Sequence, residues 1–287
     1  MELTPFSSII DRYKTIFFDA YGVLKNHMGM IPNIDKTFDY LSAKGIDYFI
    51  ITNDASRGPK ELAEYYRNNG LKHISEDHII SSGMLAREYL RMKVPSGTIA
   101  YLGTKESAHY IETLGLKTVS IADLDLANAE EVSALVFLDD EGYDWNHDIN
   151  KTVNLLRRVN VPVIVSNTDR YYPVTGHEVA IATGGIANVV EDIVRKNFIR
   201  FGKPDAQMFI FAYEHSVAMG GTPNKRDILM IGDTLYTDII GGNKFGLDTV
   251  LVLSGNTLPQ NAELKIRTEG IIPTYICESA VIFSNEA

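Results

Sequence analysis

The sequence predicts an α/β fold, a doubly wound core of mostly parallel strands with helices on both faces and a second α/β domain inserted into it. Two observations carry this. Seven short β-branched or aromatic runs alternate with segments of helix length. That is the pattern of crossover units, in which strands buried on both faces read as continuous apolar runs. No fixed-period repeat, low-complexity tract or long Pro/Gly linker divides the chain, so a second domain has to be sought inside the first rather than after it.

In chain order the strand runs are TIFFD from Thr15, DYFIIT from Asp47, TIAYLG from Thr98, ALVFLD from Ala134, VPVIVS from Val161, DILMIGD from Asp227 and DTVLVLSG from Asp248. Helix-start signals stand in SSGMLAREYLRM from Ser81 and TGGIANVVEDIVRKN from Thr183, and these two helices are expected where the chain leaves and re-enters the common core. The expected organisation is a first core part over residues 1–85, an inserted α/β domain over 86–186 and a second core part over 187–287.

Composition narrows the function classes. The chain has 287 residues, 45% hydrophobic and 22% charged, long enough to bury one large core or two moderate ones. Acidic residues outnumber basic ones, 37 to 27, and no Lys/Arg cluster appears, which argues against a nucleic-acid or anionic-membrane surface as the main partner. Cys277 is the single cysteine, so no internal disulfide can form, and a reducing compartment with a buried thiol is the simplest reading. No secretory leader and no apolar run of membrane-span length is present, so the expectation is a soluble cytoplasmic protein.

Three strand runs end on polar residues: Asp19, then Thr52 with Asn53, then Asp233. In open parallel sheets ligands bind beyond the carboxyl ends of the strands, so these tips can share one crevice. Singly, each reads as a turn former or a helix N-cap. The ordered combination points to phosphoryl chemistry. A carboxylate such as Asp19 can act as nucleophile, and a divalent cation then offsets the charge it shares with the incoming phosphoryl group. Magnesium takes oxygen ligands, and Asp19 and Asp233 would supply them, with Asp238 five residues on to orient a bound water. Thr52 offers a hydroxyl, Asn53 a backbone N–H and Lys203 a fixed positive charge.

The ordered segments FFDAYGVL, IITN, GKP and IGDTLYTDIIGGNKFGLDTVLVLSG resemble the four motifs of the haloacid dehalogenase superfamily, specifically its NagD-like and p-nitrophenylphosphatase-like members. The stretch from Ala134 to Val190 is similar to the large α/β cap of those enzymes. The resemblance implies a Rossmann-type core with Asp19 as nucleophile, Thr52 and Asn53 as phosphoryl binders and Lys203 as charge clamp. It implies magnesium held by Asp19, Asp233 and the backbone carbonyl of Tyr21, supported by Asp238, and a cap that brings Asn167 to Asp169 near the substrate. The activity it implies is that of a magnesium-dependent phosphatase of small phosphorylated metabolites, sugar phosphates among them. Caps of this size often carry homodimer contacts in that family.

One position departs from the pattern. Two residues after the nucleophile those phosphatases carry a second Asp that works as acid and base, and here stands Tyr21. A phenol with a reference pKa near 10 is a poor base at neutral pH, and general acid–base catalysis contributes roughly 100- to 10,000-fold. Two alternatives stay open: a protein that binds a phosphorylated ligand with little turnover, and a hydrolytic dehalogenase, whose first motif also reads DAYG. The seven histidines show no paired spacing for zinc. His147 and His177 lie in the insertion as candidate substrate contacts, and Tyr143 and Trp145 either line the cap's inner face or belong to its core.

Overall fold

The computed structural model describes residues 2–175 and 178–282; His177 lies outside the described residues. The chain forms two compact units. The first comprises the chain up to Thr52, Pro59–Ile80 and everything from Lys203, and the second comprises Asn53–Gly58 and Ser81–Gly202. The changeover at Ile80/Ser81 falls inside the short strand Ile79–Ser81 and the one at Gly202/Lys203 just after Ile199–Arg200, so the helices Ser82–Lys93 and Thr183–Val194 belong whole to the second unit.

The first unit is built on a six-stranded sheet in the order Tyr275–Cys277, Asp248–Val252, Ile228–Gly232, Thr15–Phe18, Asp47–Thr52, Ile79–Ser81. Thr15–Phe18 pairs in parallel with both neighbours, and all four of its residues are buried, as a central strand covered on both faces requires. Ile16 and Phe18 face one core layer, which the helix Ile34–Lys44 closes with Ile34, Phe38 and Leu41 on one helical face. Phe17 meets Phe49 edge-on at 6.1 Å between ring centres. The strands that follow Thr15–Phe18 before the insertion lie to one side of it, and those after the insertion lie to the other. The strand order therefore reverses between Thr15–Phe18 and Ile228–Gly232, the place where such sheets open a ligand crevice.

The second unit carries a five-stranded parallel sheet in the order Ile199–Arg200, Val163–Val165, Val132–Phe137, Thr98–Leu102, Lys117–Ser120. Leu155 and Leu156 of the helix Trp145–Arg158 and Ile186, Ala187 and Val190 of the helix Thr183–Val194 pack into its core. Tyr171–Pro173 and Val179–Ile181 pair antiparallel as a separate ribbon. Tyr143 packs against this unit's core, whereas Trp145 is 43% exposed and donates its ring N–H to the Asp140 carbonyl.

Each of the seven apolar runs forms a strand, and the architecture is the α/β one expected. Ile79–Ser81, Lys117–Ser120 and Ile199–Arg200 were not expected. All three are short edge strands, and an edge needs no long apolar run to hold it. Cys277 is a buried free thiol. No helix among the described residues is long and apolar enough to cross a membrane.

Candidate active site

Asp19 leaves the end of the central strand, where its N–H still donates to the Ile231 carbonyl of the neighbouring strand at 2.8 Å. Asp233 follows directly on that neighbour, after Gly232. Both carboxylates are thus delivered by adjacent parallel strands to the same carboxyl-terminal end of the sheet. Thr52, buried, ends the strand on the other side of Thr15–Phe18. Asp238 comes from the turn Leu235–Ile239 that follows Asp233 and is fully buried.

Carboxylate oxygens of Asp19, Asp233 and Asp238 lie within 4.8 Å of one another, and this is the one cluster among the described residues with metal-ligand spacing. The chain brings one cation to them. Lys203, 2% exposed at its side chain, places Nζ 2.5 Å from Asp19 Oδ1 and 2.7 Å from Asp238 Oδ1. Three carboxylates facing one ammonium leave the pocket short of positive charge. Burial pushes Asp19 well above the usual carboxylate range, and Asp238 and Asp233 add to this against the pull of Lys203. Burial and Asp238 hold Asp233 up at about 7. Burial opposes the charge on Lys203, yet Asp19 and Asp238 outweigh it and keep the ammonium above its ordinary value. A buried all-oxygen donor set in this electrostatic state suits a hard divalent cation.

Backbone geometry completes the cradle. Gly22, at φ +82°, comes so close to Asp233 that a Cβ there would stand 1.9 Å from Asp233 Oδ2. Only glycine meets both demands, a left-handed backbone and no side chain. Tyr21, next to it, is half-buried. Burial and the charge of Asp233 raise its phenol above the ordinary value, against the His27 backbone amide within hydrogen-bonding reach. The phenol therefore stays protonated at neutral pH, with no phenolate available to act as a base.

Asn53, Asn167 and Asp169 form a separate network within the second unit. Asn53 Nδ2 donates to Asp169 Oδ1 at 2.9 Å and to Thr168 Oγ1 at 3.1 Å, and Asn167 Oδ1 accepts the Asp169 N–H at 2.9 Å. The Gly184 N–H, at the start of the helix Thr183–Val194, donates to the Asp169 carbonyl at 3.0 Å. The structure thus brings Asp19, Lys203, Asp233 and Asp238 together in the first unit, and joins the expected phosphoryl binder Asn53 to the cap candidates Asn167 and Asp169 in the second. His147 instead pairs with Asp148 at 2.7 Å. Sequence reasoning missed Thr234, Ser254 and Asn256, which bind Asp233 and the Gly22 carbonyl. Their only signal is that they follow strand ends.

A buried acid cluster with one lysine, at the switch point of a doubly wound sheet, marks a hydrolase of the haloacid dehalogenase type. Residues 16–117 match the family model for haloacid dehalogenase-like hydrolases, and residues 200–280 match a second, HAD-hydrolase-like model. The chain is 56% identical to a possible sugar phosphatase of this superfamily from Cytophaga hutchinsonii, with a TM-score of 0.94 over 99% of this chain and 100% of that one. It is 27% identical to the glycerol-3-phosphate phosphatase of Gallus gallus over 95% of this chain and 91% of that relative. NagD from E. coli K-12 shares the fold, with a TM-score of 0.73 at 22% identity over 95% of this chain and 98% of its own. The chain belongs to the haloacid dehalogenase superfamily and is a NagD-like hydrolase of the phosphatase kind.

Proposed function

We propose that the chain hydrolyses monoesters of small phosphorylated metabolites, sugar or polyol phosphates foremost, through an aspartyl-phosphate on Asp19 and with magnesium as cofactor. The observation that supports this most is the buried cluster of Asp19, Asp233 and Asp238 against Lys203. The substrate class follows the names of the relatives, a possible sugar phosphatase and a glycerol-3-phosphate phosphatase.

Asp19, Asp233 and the Tyr21 backbone carbonyl would hold magnesium, with Asp238 in support, and the bound ion would offset charge on the phosphoryl oxygens. In the first half-reaction a carboxylate oxygen of Asp19 attacks phosphorus, the ester P–O bond breaks and the leaving oxygen takes a proton from solvent water to depart as the alcohol. In the second, water attacks the acyl phosphate, inorganic phosphate leaves and Asp19 is restored. Lys203 holds nucleophile and phosphoryl group together, and Thr52 and Asn53 bind phosphoryl oxygens. The second unit acts as the cap that selects the substrate, with Asn167 and Asp169 as its contacts. A cytoplasmic location and a homodimer belong to the same proposal, and light scattering in solution tests the dimer.

A screen of phosphate esters with and without magnesium tests the reading: metal-dependent release of phosphate is expected. Tyr21 favours a second reading, a phospho-ligand binder, and stabilisation by esters without turnover would select it. Halide release from haloacids without metal would replace both with a dehalogenase.

The pH dependence has a sign. A carboxyl whose folded pKa lies above its unfolded one stabilises the fold at low pH and loses that contribution as pH rises through the folded value. With Asp233 at about 7 and an unfolded Asp near 3.9, the metal-free protein should lose stability across that interval. Protons compete with the cation below about pH 7, so apparent magnesium affinity should fall about tenfold per pH unit there. Thermal unfolding should accordingly show a larger magnesium-induced rise in Tm at about pH 8 than at about pH 5.5. Equal rises would contradict the proposed ligand set.

A further inference from the structure

The segment after the strand Asp248–Val252 makes three hydrogen bonds at and around Asp233. Ser254 Oγ donates to the Gly22 carbonyl at 2.7 Å. The Asn256 N–H donates to Asp233 Oδ2 at 2.6 Å. The Asn256 side-chain amide donates to Thr234 Oγ1 at 3.0 Å, and the Thr234 hydroxyl donates to Asp233 Oδ1 at 2.8 Å. Gly255 lies between, where a Cβ would stand 2.0 Å from Asp233 Oδ2 and 2.5 Å from Gly22 Cα. The segment is therefore interlocked with the loop that follows Asp19 and with Asp233 itself.

A hydroxyl has one proton to give. With the Asn256 amide donating into the Thr234 oxygen, that proton is committed to Asp233 Oδ1. Asp233 then receives one hydrogen bond on each oxygen, and its carboxylate plane is fixed from both sides. Without the Asn256 amide the Thr234 hydroxyl can swing away and release one side.

We infer that Asn256, acting through Thr234, is a positioning residue that sets the orientation of Asp233 for divalent-cation binding. This rests on the magnesium reading proposed above. Groups that orient a metal ligand from behind typically contribute 10- to 100-fold in metal affinity. Asn256→Ala keeps the backbone N–H to Asp233 and removes only the side-chain relay.

The test is a magnesium titration of wild type, Asn256→Ala, Thr234→Val and the double variant, read both by phosphate release and by Tm. The expected result is a rise of about tenfold or more in the magnesium concentration for half-maximal effect in each single variant. Turnover at saturating magnesium should stay within about twofold and metal-free Tm should not move. The double variant should be no weaker than either single one, since both cut the same relay. An unchanged magnesium midpoint in Asn256→Ala, a loss of turnover or metal-free Tm without a midpoint shift, or additive effects in the double variant would overturn the inference and leave the magnesium reading standing. A wild-type chain that responds to magnesium by neither readout overturns the magnesium reading, and the inference with it.

Discussion

Asp19→Asn is expected to lower turnover of phosphate monoesters by at least about 10,000-fold while leaving the fold intact, a loss of the size seen when a nucleophile is removed. The substituted amide has nearly the shape of the carboxylate but cannot attack phosphorus and hold the resulting acyl phosphate. Lys203 keeps its ion pair with Asp238 at 2.7 Å, so the buried ammonium is not stranded. Burial and two neighbouring carboxylates already disfavour charge on Asp19. The metal-free variant should therefore unfold at the wild-type temperature or above it. The checks are steady-state rates at saturating magnesium and a thermal melt. Wild-type rates in the variant would end the aspartyl-phosphate mechanism.

Tyr21→Asp should move the rate the other way, by as much as roughly 100-fold in the steady state if acid–base help is the missing contribution. The Tyr21 phenol is pushed up by burial and by Asp233, with the His27 amide pulling the other way. It can donate a hydrogen bond to a leaving oxygen but cannot readily cycle its proton at neutral pH. Breakdown of the acyl phosphate should then limit the wild type, giving a burst of alcohol followed by slow turnover. The variant should lose the burst and run faster. A rate that is unchanged or lower, with no burst in the wild type, would mean that another group, Asp54 or Asp169, moves the proton.

The α/β class was legible because parallel strands buried on both faces write themselves as continuous apolar runs, as TIFF over Thr15–Phe18 does. Edge strands such as Lys117–Ser120, with an exposed residue and three half-buried ones, carry no such mark. The acids were legible for a related reason. Asp19 and Asp233 interrupt chemistry that is otherwise apolar, each at the end of a fully buried strand run. A network such as Asn53 with Thr168 and Asp169 has no counterpart in local pattern, because its members are over a hundred residues apart in the chain.

What the sequence determined by itself is the apolar strand runs and the carboxylates Asp19 and Asp233 at their ends, since burial period and residue chemistry are local properties of the chain. The tertiary structure alone decided how those groups share charge. Lys203 reaches Asp19 and Asp238 only because the chain returns to the first unit after the insertion. Asp233 is fixed by Thr234 and Asn256 only because Gly22 and Gly255 let three loops approach within contact of one carboxylate. Distances between segments remote in sequence set pKa and orientation, and no residue carries that information in its own neighbourhood.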